Sequence, residues 1–154
     1  MGYYVYLTGA DFTIPDTPKV RNALRELDKR DDLKRGGMSG ADGTEEKWFS
    51  WMNEPWAHHD SIDPIFQQLG FDTYCCVVGV DQYAHASVQL LSYDSKIGQE
   101  ELFLAAVAPF VKAGSYLEWR GEDGEAWRHY VGDDGKLYVQ ESEIHWTNEK
   151  EVAL

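Results

Sequence analysis

Cysteine is nearly absent. The chain holds two, Cys75 and Cys76, and they are neighbours. Adjacent cysteines rarely pair, and on a strand they point to opposite faces. They make no disulfide framework, which favours a reducing compartment. Long apolar runs are missing too. The longest, Leu102 to Val111, has ten residues, about half of what a membrane-crossing helix needs. No charged-then-apolar leader opens the chain. The myristoylation pattern fails as well, because Tyr6 stands where Ser or Thr is required. A cytoplasmic protein with no membrane attachment is expected.

Bases are scarce. Fourteen Lys and Arg face 27 Asp and Glu, for a net charge of −13. That balance argues against direct DNA binding over a broad surface and against an anionic membrane. Residues 19 to 35 are the exception, with seven bases and four acids; the rest of the chain carries −16. Pairing along a helix face accounts for such a run.

The signatures of catalysis are also missing. There is no Gly-x-Ser-x-Gly elbow, and the cysteines lie in an apolar strand where a thiol pKa rises. Gly36 to Gly43 holds four glycines beside Lys34 and Arg35 but lacks the Gly-Lys-Ser/Thr ending of a phosphate loop, and reads as a flexible loop. His58 and His59 have no His-x₃-His partner, so no metal site follows. The acidic turns Glu122-Asp123-Gly124 and Asp133-Asp134-Gly135 lack calcium-loop spacing. No catalytic residue, metal ligand or cofactor is assigned. His129 or His145 meeting a carboxylate in a pocket would be the mark of a small hydrolase or nucleotide-binding enzyme.

What is abundant is aromatic: 14% of residues, with six Trp and nine Tyr. Their density peaks between Gly114 and Trp146. Two Asp-Gly turns divide that stretch into three alternating runs, an antiparallel meander. Leu117 and Trp119, then Trp127, His129 and Val131, then Leu137 and Val139, then Ile144 and Trp146 are expected on its core face. The opposite face takes Tyr116, Glu118, Arg120, Arg128, Tyr130, Lys136, Tyr138 and Gln140. Glu118 and Arg128 are placed to pair across strands.

Upstream, Tyr3 to Phe12 alternates as a first strand. Asp16-Thr17-Pro18 starts a helix whose Val20, Ala23, Leu24 and Leu27 fall at i, i+3, i+4, i+7. Lys47 to Met52 reads as a short strand bearing Trp48 and Trp51. Ile62, Ile65, Phe66 and Leu69 repeat the helical spacing, and Gly70 ends that helix. Strands over 71–80 and 83–93 follow. A third helix begins near Gly98, with Pro109 shortening its last turn. The order predicts a single α+β domain over residues 1–154: three helices on a mostly antiparallel sheet, with a C-terminal β-meander and a frayed tail over 147–154. One sheet or two is left open.

Several segments carry a resemblance: Met1-Gly2-Tyr3-Tyr4-Val5, Phe12-Thr13-Ile14-Pro15, Leu33-Lys34-Arg35-Gly36-Gly37, Glu46 to Met52, Tyr93 to Phe103 and Gly114 to Gly124. Together they resemble an uncharacterised family of small accessory proteins from tailed phages of actinobacteria. The likeness thins between His58 and Ala86 and after Val139. It implies a phage-encoded protein made in the cytoplasm of a bacterial host, and it carries over no functional residue.

The expected function is non-enzymatic binding of a host or phage protein. Candidate contacts are Trp56, His58 and His59 in a polar loop, and Tyr116, Arg120, Arg128, Tyr130 and Tyr138 on the polar face of the meander. An acidic DNA mimic that inhibits a host DNA-acting enzyme is the alternative, and a small hydrolase or nucleotide-binding enzyme is a third.

Overall fold

Glycine at two left-handed positions sets the C-terminal half. Gly124 has φ 90° and Gly135 φ 75°, and each closes a tight turn. In the computed structural model, which describes residues 2–154, these turns join β7 (Tyr116–Gly121), β8 (Ala126–Val131) and β9 (Leu137–Glu141). The register is direct: Tyr116 opposite Tyr130 opposite Tyr138, Glu118 opposite Arg128 opposite Gln140.

The rest of the sheet is built onto β7. β1 (Tyr4–Asp11) pairs with it antiparallel, with a bulge between Leu7 and Gly9. β2 (Thr13–Pro15) continues β1 after Phe12, and both run along the long β6 (His85–Lys96). β5 (Phe71–Val78) lies on the far side of β6. The result is one seven-stranded sheet, every pairing antiparallel, with β5 and β9 at its edges. A single sheet thus unites the two halves of the chain.

Three helices pack against it. α1 (Pro18–Asp28) starts at Thr17, whose hydroxyl accepts from the Val20 N–H at 3.4 Å. Val20 and Leu24 are buried and Leu27 packs partly, as the spacing predicts. Asp16 joins α1 to α2 (Asp63–Leu69): its carboxylate takes Arg21 at 2.7 Å and the Ile62 N–H at 3.3 Å. α2 buries Ile65, Phe66 and Leu69 and ends at Gly70. α3 (Glu100–Val107) gives way to a 3₁₀ turn containing Pro109, because proline supplies no donor for another helical turn. The fold is α+β, with three helices on a mostly antiparallel sheet.

One apolar core joins these layers. Trp119 sits at its centre, edge-on to Phe71 and Tyr93 and parallel to Trp127. A second aromatic group, Phe49, Trp56 and Phe103, fills the space beneath α3.

Four expectations are corrected. The glycine-rich stretch is a hairpin: β3 (Gly36–Ser39) pairs with β4 (Glu45–Trp48) in a separate two-stranded sheet. A Cβ on Gly36 would lie 2.4 Å from the Trp48 ring, so this glycine permits the close approach. The strand expected over Lys47 to Met52 stops at Trp48, and Trp51 turns the chain with φ 71°. The meander ends at Glu141; Ile144 and Trp146 are 80% and 92% exposed, because no further strand continues the ladder that would fold them inward. Arg128 lies opposite Glu118 but donates instead to Gln140 Oε1 at 2.7 Å. Residues 142–154 carry no regular secondary structure and are exposed.

Candidate functional site

Residues directly opposite on paired strands share a face, so the register settles which side chains meet. Val5, Leu7, Leu117 and Trp119 point to the helices and the core. Their alternates point the other way. On that outer face, Tyr4 lies opposite Lys96, Tyr6 opposite Arg120, and Asp11 opposite Tyr116. Tyr116, Tyr130 and Tyr138 form one row across β7, β8 and β9, and Glu118, Arg128 and Gln140 form the next. The buried apolar side chains of the helices all belong to the core on the opposite face, so the outer face lies open.

This face is ordered by contacts between its own side chains. Tyr130 and Tyr138 stack with ring centres 5.4 Å apart and 19° between planes. The Tyr138 hydroxyl donates to Asp134, which raises the phenol pKa and lowers that of the Asp134 carboxyl. Arg128 stands 6.0 Å from the Tyr130 ring centre, and Lys96 5.7 Å from that of Tyr4. Cations over aromatic faces are held by the ring quadrupole. Between the bulge of β1 and the strands beside it runs a shallow groove of about 530 Å³, lined in part by Thr8, Glu118, Arg120, Arg128 and Gln140. Charges of both signs alternate here, with no single-sign track along which a phosphate backbone would lie.

Five expected contacts, Tyr116, Arg120, Arg128, Tyr130 and Tyr138, are therefore brought together on one surface. The loop residues are not part of it. Trp56 is corrected outright: it is 4% exposed, packed 5.0 Å from Phe103, and is a core residue. The loop folds under α3 because Phe49, Met52 and Trp56 complete the core there. His58 and His59 remain exposed beside it. Tyr4, Tyr6 and Lys96 extend the site and were missed; alternation in the first strand marked the tyrosines, but nothing local says that β1 lies beside β7.

The feature nearest to an enzyme site involves His129. Its Nδ1 accepts from the Trp119 Nε1–H at 2.9 Å, which assigns the ring proton to Nε2; Nε2 faces Glu101 Oε2 at 2.8 Å. Glu101 also lines a cleft of about 640 Å³ with Tyr3, Ile97, Trp127, Val139 and Ile144. The histidine is buried, and both its nitrogens are engaged within the protein. It holds the Glu101 carboxylate in place and offers no nitrogen to a substrate. His145 is on the exposed tail, 3.2 Å from Glu143. Among the described residues no group of three His, Cys, Asp or Glu is placed to hold a metal ion. Among the described residues no helix is long and apolar enough to cross a membrane.

Glu100 is the buried carboxylate of this region. It accepts the Gly98 N–H at 2.9 Å, and burial pushes its pKa up against that stabilising bond. A carboxyl whose folded-state pKa is raised binds its proton more tightly in the native state. Its favourable contribution is therefore complete at low pH and is lost as pH rises through the folded value. Glu100→Gln is expected to raise Tm by about 2–4 °C at pH 7, and the gain should vanish near pH 4. Thermal unfolding followed by circular dichroism across that range checks it.

Compared with family models, with curated proteins and with solved structures, the chain matches none.

Proposed function

We propose that the chain is a non-enzymatic accessory protein, encoded by a tailed phage of actinobacteria, that binds a host or phage protein through the outer face of its sheet. The observation that carries this reading is the row of Tyr116, Tyr130 and Tyr138 in register across β7, β8 and β9, continued along the same face by Tyr4 and Tyr6 of β1 with Arg120, Arg128 and Lys96, on a face that no helix covers. Tyrosine and arginine dominate the energetics of protein interfaces. They bury large rigid area at low entropic cost and keep a polar tip for hydrogen bonding. Here Tyr130 and Tyr138 are already stacked and the Tyr138 hydroxyl is bonded to Asp134, so little ordering of this pair remains to be done on binding. Interspersed charges favour a protein surface of matching pattern over a polyanion.

The test is capture from an actinobacterial lysate, with and without phage infection, on tagged wild-type protein and on the double variant Arg128→Ala/Tyr130→Ala. Both side chains sit at or near the surface, so the fold should persist. A protein enriched by the wild type and lost from the variant is the expected result. A well-folded wild type that enriches nothing above background, or a variant that captures the same protein as well, overturns the reading.

A further inference from the structure

The hairpin of β5 and β6 extends beyond the helices. Phe71 at the start of β5 is buried, but from Tyr74 onward the strand is largely exposed on both sides. Val77 is 72% exposed, Val80 72% and Tyr83 74%, with Tyr74 and Val78 exposed beside them. β5 has one strand partner, β6; its other edge faces no strand. Proteins protect such edges with charge, proline or an early bulge. β5 has a bulge, but at Asp72/Thr73, before the exposed part begins. From Tyr74 to Ala86 the one formal charge is Asp81, and there is no proline. The opposite edge differs: β9 runs into Glu141, Glu143, Glu149 and Glu151.

We propose that β5 is a dimerisation edge, which pairs antiparallel with β5 of a second copy of this chain. Charge selects the occupant. A chain of net charge −13 repels its own copies over most of its surface, and this arm is a long stretch where two copies meet without that repulsion. An uncharged apolar strand is also self-complementary, as a two-fold interface requires. Area sets an upper bound. With side chains of the order of 150–250 Å² for the aromatics, Tyr74, Val77 and Val78 of β5 and Val80 and Tyr83 in the turn beyond it present roughly 500 Å² per copy. A two-fold pairing therefore buries at most about 1,000 Å² in all, where specific interfaces begin, and adds a ladder of backbone hydrogen bonds. The two-fold axis of an antiparallel strand pair stands perpendicular to the sheet. Both tyrosine faces then lie on the same side of one doubled sheet, and a partner with two copies of its epitope gains avidity. The pairing does not depend on what the tyrosine face binds.

Sedimentation velocity on the full chain, from about 1 to 100 µM, tests it. A species of twice the 17.6 kDa chain mass is expected, with β5 amides that exchange slowly with solvent and become fast on dilution. Val77→Asp/Val80→Asp and, separately, Tyr83→Asp at the tip should weaken the dimer at least about tenfold, with Tm unchanged at concentrations where the wild type is monomeric. A chain that stays monomeric at the highest concentration overturns the proposal. So does a dimer that persists in both folded variants, or one whose β5 amides exchange as fast as those of the monomer.

Discussion

Trp119→Ala is expected to remove about 4–5 kcal/mol of folding stability, a large part of what a domain of this size has. Trp119 is 1% exposed and touches aromatic neighbours on several sides: Tyr93 at 5.1 Å, Phe71 at 5.9 Å and Trp127 at 6.3 Å between ring centres. Truncation leaves a cavity that rigid rings close poorly, which puts the cost at the upper end of the large-to-small range. It also strands His129 Nδ1, a buried acceptor whose donor is the indole N–H. Trp119→Phe separates the two effects. It keeps most of the packing, removes the donor, and should cost about 2 kcal/mol. Urea unfolding of both variants, of His129→Ala and of the double variant Trp119→Phe/His129→Ala closes the cycle. If the indole–imidazole bond contributes, Trp119→Phe and His129→Ala are less than additive.

Gln99→Ala is the second large effect, expected to cost about 3 kcal/mol and to lower Tm by roughly 6–12 °C. Gln99 stands at the start of α3 and is 5% exposed. Its Oε1 accepts from the Arg35 and Ser50 N–H groups, both at 3.0 Å, and its Nε2 donates to the Leu33 carbonyl at 2.6 Å. Those backbone groups flank the neck of the β3–β4 hairpin, so one amide ties the hairpin to α3. Removing it leaves three backbone groups without partners in a partly buried place. Gln99→Glu should do no better, since a carboxylate oxygen would face the Leu33 carbonyl. Limited proteolysis gives a second readout: cleavage between residues 36 and 48 should become fast in both variants while the main sheet stays resistant.

Elements governed by local periodicity could be read from the sequence. Val20, Leu24, Ile65, Phe66 and Leu69 mark helical stripes that are indeed buried, and the turns at Gly124 and Gly135 place β7, β8 and β9. Alternation also sorted the faces of β7 and β8, with Leu117, Trp119, His129 and Val131 inside, but Val139, expected with them, is 54% exposed on the edge strand β9. It failed where burial depends on distant partners. Trp146 alternates with the core set but has no strand beside it. Trp56 looks like a loop aromatic until α3 is placed above it. β3 and β4 show no apolar alternation, because both strands are largely exposed and are held by backbone pairing, Gly36 and Gly37 opposite Trp48 and Lys47, Met38 and Ser39 opposite Glu46 and Glu45.

The same distinction runs through the site. Tyr116, Tyr130 and Tyr138 were grouped correctly because tight turns fix their register. Tyr4, Tyr6 and Lys96 joined them only through the pairing of β1 with β7 and β6, more than 80 residues away in the chain. Gln99 and the His129–Glu101 contact carry no sequence signal at all. A polar residue at a helix start and a lone histidine on a strand have many ordinary uses, and their partners lie far along the chain.

The central claim is that the tyrosine-rich outer face binds a protein. It is tested most directly by the affinity of the captured partner for wild type and for Arg128→Ala/Tyr130→Ala, measured by titration calorimetry at matched Tm. Loss of a stacked tyrosine and its neighbouring guanidinium at the centre of an interface should weaken binding about 100-fold or more. His58→Ala/His59→Ala, in the loop, should leave it unchanged. An affinity indifferent to the sheet variant would contradict the account.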